Sequence, residues 1–174
     1  MSTDLVSQFT DAALKTVDSC TRTDSKEFET TLSELVVEPA VGAPLSSDAV
    51  SLDGTTVDTD PSVEALDNAE TGVAQAGAAM ADYGTITVES RPGGDELVSL
   101  YPPRHIVVLD ANDIVPDVST AFDHFETAIR DARAEDTAGA SRVLATGPSA
   151  TGDMGELVKG VHGPKEVHIV VIEA

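Results

Sequence analysis

Ile106-Val107-Val108-Leu109-Asp110 is the stretch whose reading decides the fold. Four consecutive aliphatic residues leave no polar face for solvent, so the segment reads as a strand buried on both sides. Such strands belong to parallel sheets covered by helices. Working outward, Glu166 to Glu173 and Arg142 to Thr146 read as further strands. Pro116-Asp117 opens a helix whose stripe is Val118, Ala121, Phe122, Phe125 and Ile129. Upstream, Gly77 to Ala81 and Thr85 to Glu89 read as two strands joined tightly at Asp82-Tyr83-Gly84, and Arg91 to Asp95 as a turn. Helices are expected from about Thr3 to Asp18, from Ser25 to Val36 and from Asp60 to Asn68. In the last of these Asp60 would be the cap and Pro61 would lie in the first turn. Ala40 to Leu45 suggests a short strand, and Ser46 to Thr59 a surface loop with a brief helix. Helices alternating with aliphatic strands give an α/β class: a mainly parallel open sheet flanked by helices, with one hairpin. One domain is expected over residues 1–174, helical over 1–70 and motif-bearing over 71–174.

Composition narrows the function. Hydrophobic residues are 41% of the 174, enough for a core, yet aromatics are 3% and tryptophan is absent. The core must be built from Val, Leu, Ile and Ala. The formal charge is −21, from 31 acids against 10 Lys and Arg, dispersed along the chain. Concentrated salt would screen the mutual repulsion, so a salt-accumulating, halophilic host is expected. The same charge excludes nucleic acid, whose phosphates need Lys and Arg, and disfavours anionic membranes. Cys20 stands alone, so no disulfide or cysteine cluster is available. With no span-length apolar run and no signal peptide, the expected location is cytoplasmic and no metal or cofactor is expected.

Chemistry-bearing residues gather late in the chain. Thr146-Gly147-Pro148-Ser149-Ala150-Thr151-Gly152-Asp153 is followed by Gly160-Val161-His162-Gly163-Pro164. Gly147, Ser149, Thr151 and Gly152 can offer amides and hydroxyls to one point, and Asp153 opens a short expected helix to Lys159. The arrangement suits an anion: phosphate, carboxylate or nucleotide. It is neither a P-loop nor GxGxxG, and a structural turn is the alternative. In a chain with 10 basic residues, Lys159, His162 and Lys165 form a local positive island. The plainer reading of Lys159 is a helix C-terminal residue beside Gly160. His162, among glycines, and His105, after two prolines, can each be a general acid/base, a metal ligand or a hydrogen-bonded structural histidine. Asp82 lies at a strand end among apolar residues. It could act as a base or, the preferred reading, cap the Gly84 and Thr85 amides.

Taken in order, these stretches resemble a known family. Ala81-Asp82-Tyr83-Gly84-Thr85, Ser99-Leu100-Tyr101-Pro102-Pro103-Arg104-His105-Ile106, Ile114-Val115-Pro116-Asp117 and both segments of the late loop resemble motifs of the lactate-utilisation LUD family, LutC/YkgG type. The resemblance covers about residues 70–174. It implies a fold like the NagB/RpiA/CoA-transferase group. It also implies a role in oxidising L-lactate to pyruvate beside iron–sulfur partner subunits, which a chain with one cysteine would need. Asp82, His105 and His162 are then the catalytic candidates. Gly84, Thr85, Arg104, Gly147, Pro148, Ser149, Thr151, Asp153, Lys159 and Gly163 are the binding candidates for a small anionic ligand. This chain carries Asp82-Tyr83 where the family usually has Glu-Thr, and Asp95-Glu96 where it has an arginine. The competing readings are a stand-alone isomerase or acyl/CoA-transfer enzyme, and a scaffold for the iron–sulfur subunits that binds nothing itself.

Overall fold

The computed structural model describes residues 3–134, 141–149 and 160–173. Nine strands and five helices are described: α1 (Thr3–Ala13), β1 (Ser19–Asp24), α2 (Phe28–Leu35), β2 (Ala40–Gly42), α3 (Val63–Asn68), β3 (Thr71–Gln75), β4 (Ala79–Met80), β5 (Thr85–Glu89), α4 (Asp95–Leu100), β6 (Arg104–Asp110), β7 (Ile114–Val115), α5 (Val118–Ala134), β8 (Arg142–Ala145) and β9 (Glu166–Glu173). Five strands pair in the order β1-β9-β6-β3-β2, every neighbour parallel. The other four form a second sheet, β7-β4-β5-β8, in which β5 runs antiparallel to both neighbours. The mainly parallel α/β architecture with a hairpin is therefore present, but divided between two sheets.

Burial explains the layering. Ile106, Val107, Val108 and Leu109 are all at most 1% exposed. Each such side chain contributes about 1.5–3 kcal/mol relative to exposure. Alternation along the strands sends them to two cores. Val107 and Leu109 join Val167, Ile169 and Val171 against Val6, Phe9 and Ala13 of α1 and against Ala79, Ile86 and Val88 of the second sheet. Ile106 and Val108 join Val73, Val170 and Ile172 against Phe28 and Leu32 of α2. Helix α5 covers the outer side of the small sheet, with Ala121 and Phe125 packed on Met80 and Val115. Helix α4 crosses β3 so closely that a Cβ on Gly72 would collide with the Val98 carbonyl oxygen.

Several expectations are corrected. Helix α1 stops at Ala13, not Asp18: the Thr16 and Val17 amides both return to the Ala13 carbonyl (2.9 and 3.0 Å), and the Asp18 amide then joins the Val167 carbonyl (3.0 Å). The polar run Ser19–Asp24 is a strand, so the first 70 residues are not only helical. Its polarity reflects an edge position, where one side of the ladder faces solvent. The Asp24 carboxylate accepts the Lys26 and Glu27 amides (2.8 and 3.1 Å), turning the chain into α2 at Phe28 rather than Ser25. Ser62, not Asp60, caps α3 by accepting the Ala65 amide at 3.1 Å. No helix lies in Ser46–Thr59. Thr71–Gln75 is a central strand, missed because its small residues hid the pattern, and Asp95–Leu100 is a helix rather than the end of a turn.

Candidate functional site

The residues singled out from sequence fall into three groups. The first lies where α1 and β8 end and β5 begins. Gly84 has φ +64° and lies against α1; a Cβ there would come within 2.5 Å of Ala13 Cα. Gly147 has φ +75° and lies against Thr16 in the same way; a Cβ there would come 2.7 Å from the Thr16 carbonyl oxygen. The Thr85 and Thr146 hydroxyls share a hydrogen bond of 2.7 Å. Asp82 is exposed, not in apolar surroundings, and the Gly84 amide donates to the Met80 carbonyl at 3.0 Å rather than to an Asp82 cap.

The second group lies at the amino end of the parallel sheet. Arg104 donates through Nε and Nη2 to one Glu166 oxygen (2.9 and 2.6 Å) and through Nη1 to the Leu35 carbonyl (2.8 Å), tying β6 to β9 and α2. His105 is 4% exposed on the face of Val107, and its Nε2 has no hydrogen-bond partner among the described residues. Burial alone pushes its pKa down to about 4, so it is a neutral ring at physiological pH. On the other face of the sheet His168 pairs its Nδ1 with Ser19 Oγ at 2.8 Å; burial first and Arg104 second lower its pKa.

The third group is the late loop. The Ser149 amide donates to the Pro164 carbonyl at 3.1 Å, so the two described arms of the loop meet. Pro148 and His162 are half-buried beside them, and Gly163 has φ +76°. Gly160 lies on the Tyr101 ring, where a Cβ would approach 2.8 Å. Thr151, Asp153 and Lys159, with the expected 153–159 helix, lie outside the described residues.

A different constellation occupies the carboxyl ends of the parallel strands, where open α/β sheets place ligands. A cleft of about 490 Å3 is lined by Gln75, Glu89, Arg91, Asp113, His124 and Arg142, with Ala76, Gly77, Ala78 and Ala128 as small walls. Six segments converge there: the ends of β3 and β5, the turns after β5 and β6, α5, and the first residue of β8. Glu89 and Arg142 are register partners on β5 and β8, and Arg142 Nε donates to Glu89 Oε1 at 2.7 Å. The Arg142 guanidinium lies 5.2 Å from the Phe125 ring centre, which holds its plane. Arg91 is ion-paired with the buried Asp95 and bonded to Ser46 Oγ and the Gln75 carbonyl. Asp113 is half-buried; burial first, then the neighbouring Asp110 and Glu89 carboxylates, push its pKa up to about 6. On the outer side Phe125 and Arg142 also border a larger groove of about 660 Å3 with Phe122, Ile129 and Leu144.

Sequence reading missed this cleft. Its parts are single residues at strand ends, spaced too widely to form a motif. One signal was available: with 10 basic residues in the chain, Arg91 and Arg142 each border a strand of the hairpin sheet. Among the described residues no cluster of three or more His, Cys, Asp or Glu is placed to hold a metal ion, and no helix is long and apolar enough to cross a membrane.

Comparison with known proteins gives a consistent family. Lactate utilization protein C of Bacillus licheniformis is 30% identical over 115 residues, which cover 66% of this chain and 47% of that protein. The protein of the same name from Deinococcus radiodurans is 31% identical over 110 residues, covering 62% and 48%. The chain thus spans about half the length of the curated relatives it matches. A solved DUF162 family protein from Deinococcus radiodurans has the same fold, with a TM-score of 0.69 over 98% of this chain and 97% of that one, at 21% identity. The LUD domain family model matches residues 6–172, taking in the amino-terminal segment that carries none of the motifs. The chain belongs to the LUD domain family.

Proposed function

We propose that this protein serves lactate utilisation as an accessory subunit, working beside iron–sulfur partners that accept the electrons when L-lactate becomes pyruvate. The observation that carries the reading is family membership together with relatives named lactate utilization protein C. The single Cys20 supports the division of labour, since cluster ligation takes several thiolates. Cys20 itself is half-buried, and burial raises its thiol pKa, which suits an inert residue better than a ligand.

The subunit's own contribution in this reading is to bind a small anion on the 147–164 loop. The Ser149–Pro164 hydrogen bond that closes the two arms supports this, as do Lys159, His162 and Lys165 in an otherwise acidic chain. The protein would work in the cytoplasm of a salt-accumulating cell, where its −21 charge is screened. Deleting the coding sequence tests the role. Growth on lactate as sole carbon source should fail and return on complementation, and the tagged protein should co-purify with iron–sulfur subunits. Unimpaired growth on lactate would end the proposal.

A further inference from the structure

We propose that the outer edge of β8, with the groove between β8 and α5, is the surface on which a second copy of this chain docks, the two β8 strands pairing antiparallel about Val143. This contact uses none of the anion-binding candidates of the late loop, and it holds whether or not the protein serves lactate utilisation.

The backbone sets the register. Strand β8 is the last of the small sheet, and among the described residues no strand pairs with its far side. The Ser90 amide donates to the Ser141 carbonyl opposite it at 3.0 Å. Thr87 turns away from β8: its amide donates to the Ala78 carbonyl (2.8 Å) and its carbonyl accepts the Gly77 amide (3.0 Å). Opposed residues of an antiparallel pair alternate between bonded and non-bonded. Glu89–Arg142 and Thr87–Leu144 are therefore non-bonded pairs, and the Arg142 and Leu144 amides and carbonyls point outward from the sheet. Such an edge is complementary to itself. With Val143 on a two-fold axis, Arg142 of each copy exchanges both backbone hydrogen bonds with Leu144 of the other.

The side chains and the charge fit the same arrangement. Val143 and Leu144 stand on opposite faces of β8 and are 48% and 44% exposed. Sheet edges are ordinarily guarded by charge or proline. Here no acid occurs between Asp136 and Asp153, the longest acid-free run in a chain with 31 acids. A second chain of charge −21 can approach there with the least repulsion. On one face the two Val143 side chains meet across the axis. On the other, Leu144 lines the groove of about 660 Å3 with Phe122 and Ile129, which are 56% and 38% exposed, and the second copy covers it. Glu126 and Arg130, paired at 2.5 Å within α5, line the same groove with opposite charges, so a two-fold related copy can meet each with its opposite. A helical partner would fill the groove and leave the backbone edge unpaired. An extended peptide would pair the edge and leave the groove open. A second copy satisfies both.

Sedimentation equilibrium on the full chain tests the contact. The chain should sediment at twice its own mass in about 2 M KCl and dissociate as the salt is lowered toward about 0.1 M, where the repulsion between two −21 chains returns. Val143→Lys sets like charges directly opposite one another and should weaken the dimer at least about tenfold. Leu144→Pro removes an outward amide that β5 does not use and should do the same. Val63→Lys, at an 87% exposed valine on α3, should change nothing. In a Cys20→Ser background, Val143→Cys should cross-link two copies on oxidation, because a non-bonded antiparallel pair has its Cα atoms about 4.5 Å apart, within disulfide reach. Val63→Cys should not cross-link. Circular dichroism checks that each variant folds; should Leu144→Pro fail to fold, Val143→Lys and the cross-link decide. A chain that stays monomeric at about 100 μM in high salt would overturn the proposal. So would a dimer that Val143→Lys leaves intact and Val143→Cys fails to lock.

Discussion

Replacing His105 with leucine should make the protein less sensitive to acid. His105 is buried on β6 and its pKa is about 4, against 6.5 for a free imidazole. In the unfolded chain the ring takes up a proton as pH falls through 6.5; in the folded chain it does so only near 4. Between those values the unfolded state binds more protons, so stability is intact above 6.5 and is lost progressively as the pH falls. At 1.36 kcal/mol per pH unit, that interval corresponds to about 3 kcal/mol. For a chain of this size each kcal/mol shifts the melting temperature by about 2–4 °C. The wild type should therefore lose about 6–12 °C more than His105→Leu between pH 7 and pH 4. At pH 7 the variant should be nearly neutral, since leucine fills an apolar site and removes the unpartnered Nε2. Urea unfolding of both proteins at half-unit pH steps measures the difference, and every other titration cancels in the comparison. Parallel stability curves would show that the ring is not buried neutral, and would refute the reasoning.

Three further outcomes are expected. Gly84→Ala should cost about 2–4 kcal/mol, because the new methyl meets the α1 backbone at a positive φ, whereas Gly54→Ala, also at positive φ but facing open space, should cost about 1 kcal/mol; similar urea midpoints for the two would contradict the packing argument. Asp113 gives a pH effect of the opposite sign to that of His105: its folded pKa is raised to about 6, so the folded state binds the extra proton and stability falls as pH rises from about 3.8 to 6. Its partial exposure limits this to about 1 kcal/mol, which Asp113→Asn should abolish in the same titration. Raising KCl from 0.1 to 2 M should raise the melting temperature by about 10 °C or more, as screening relieves the repulsion of a −21 chain; a flat or falling curve would remove the halophilic reading.

The legible parts of the fold were those with a strong local pattern. Glu166–Glu173 and Thr85–Glu89 were readable to the residue, the first from its aliphatic run between two glutamates and the second from the alternation of Ile86 and Val88 with Thr85 and Thr87. Ser19–Asp24 was not readable, since an edge strand needs little apolar surface and owes its existence to the partner β9. Thr71–Gln75 was hidden for a different reason: Gly72 and Ala74 are small because α4 and its neighbours press on them, a tertiary demand invisible locally. The candidate site shows the same division. Glycines at 84, 147 and 160 stood out as a loop signature, yet their contacts are to α1, Thr16 and Tyr101 of this same chain. Glu89 and Arg142, 53 positions apart, become neighbours only through the antiparallel register of β5 and β8.

The order of the large sheet bears on how the protein is made. Strand β9 lies between β1 and β6, so the strand supplied last in sequence fills the middle of the layer rather than adding to its rim. While the chain is still emerging from the ribosome, β1 has no neighbour and β6 presents a bare flank of unpaired amides and carbonyls. Such an open seam invites pairing with another nascent copy. Vectorial folding of this domain is therefore blocked until residues 166–173 are delivered, and a holdase that shields β6 during that interval would improve its yield.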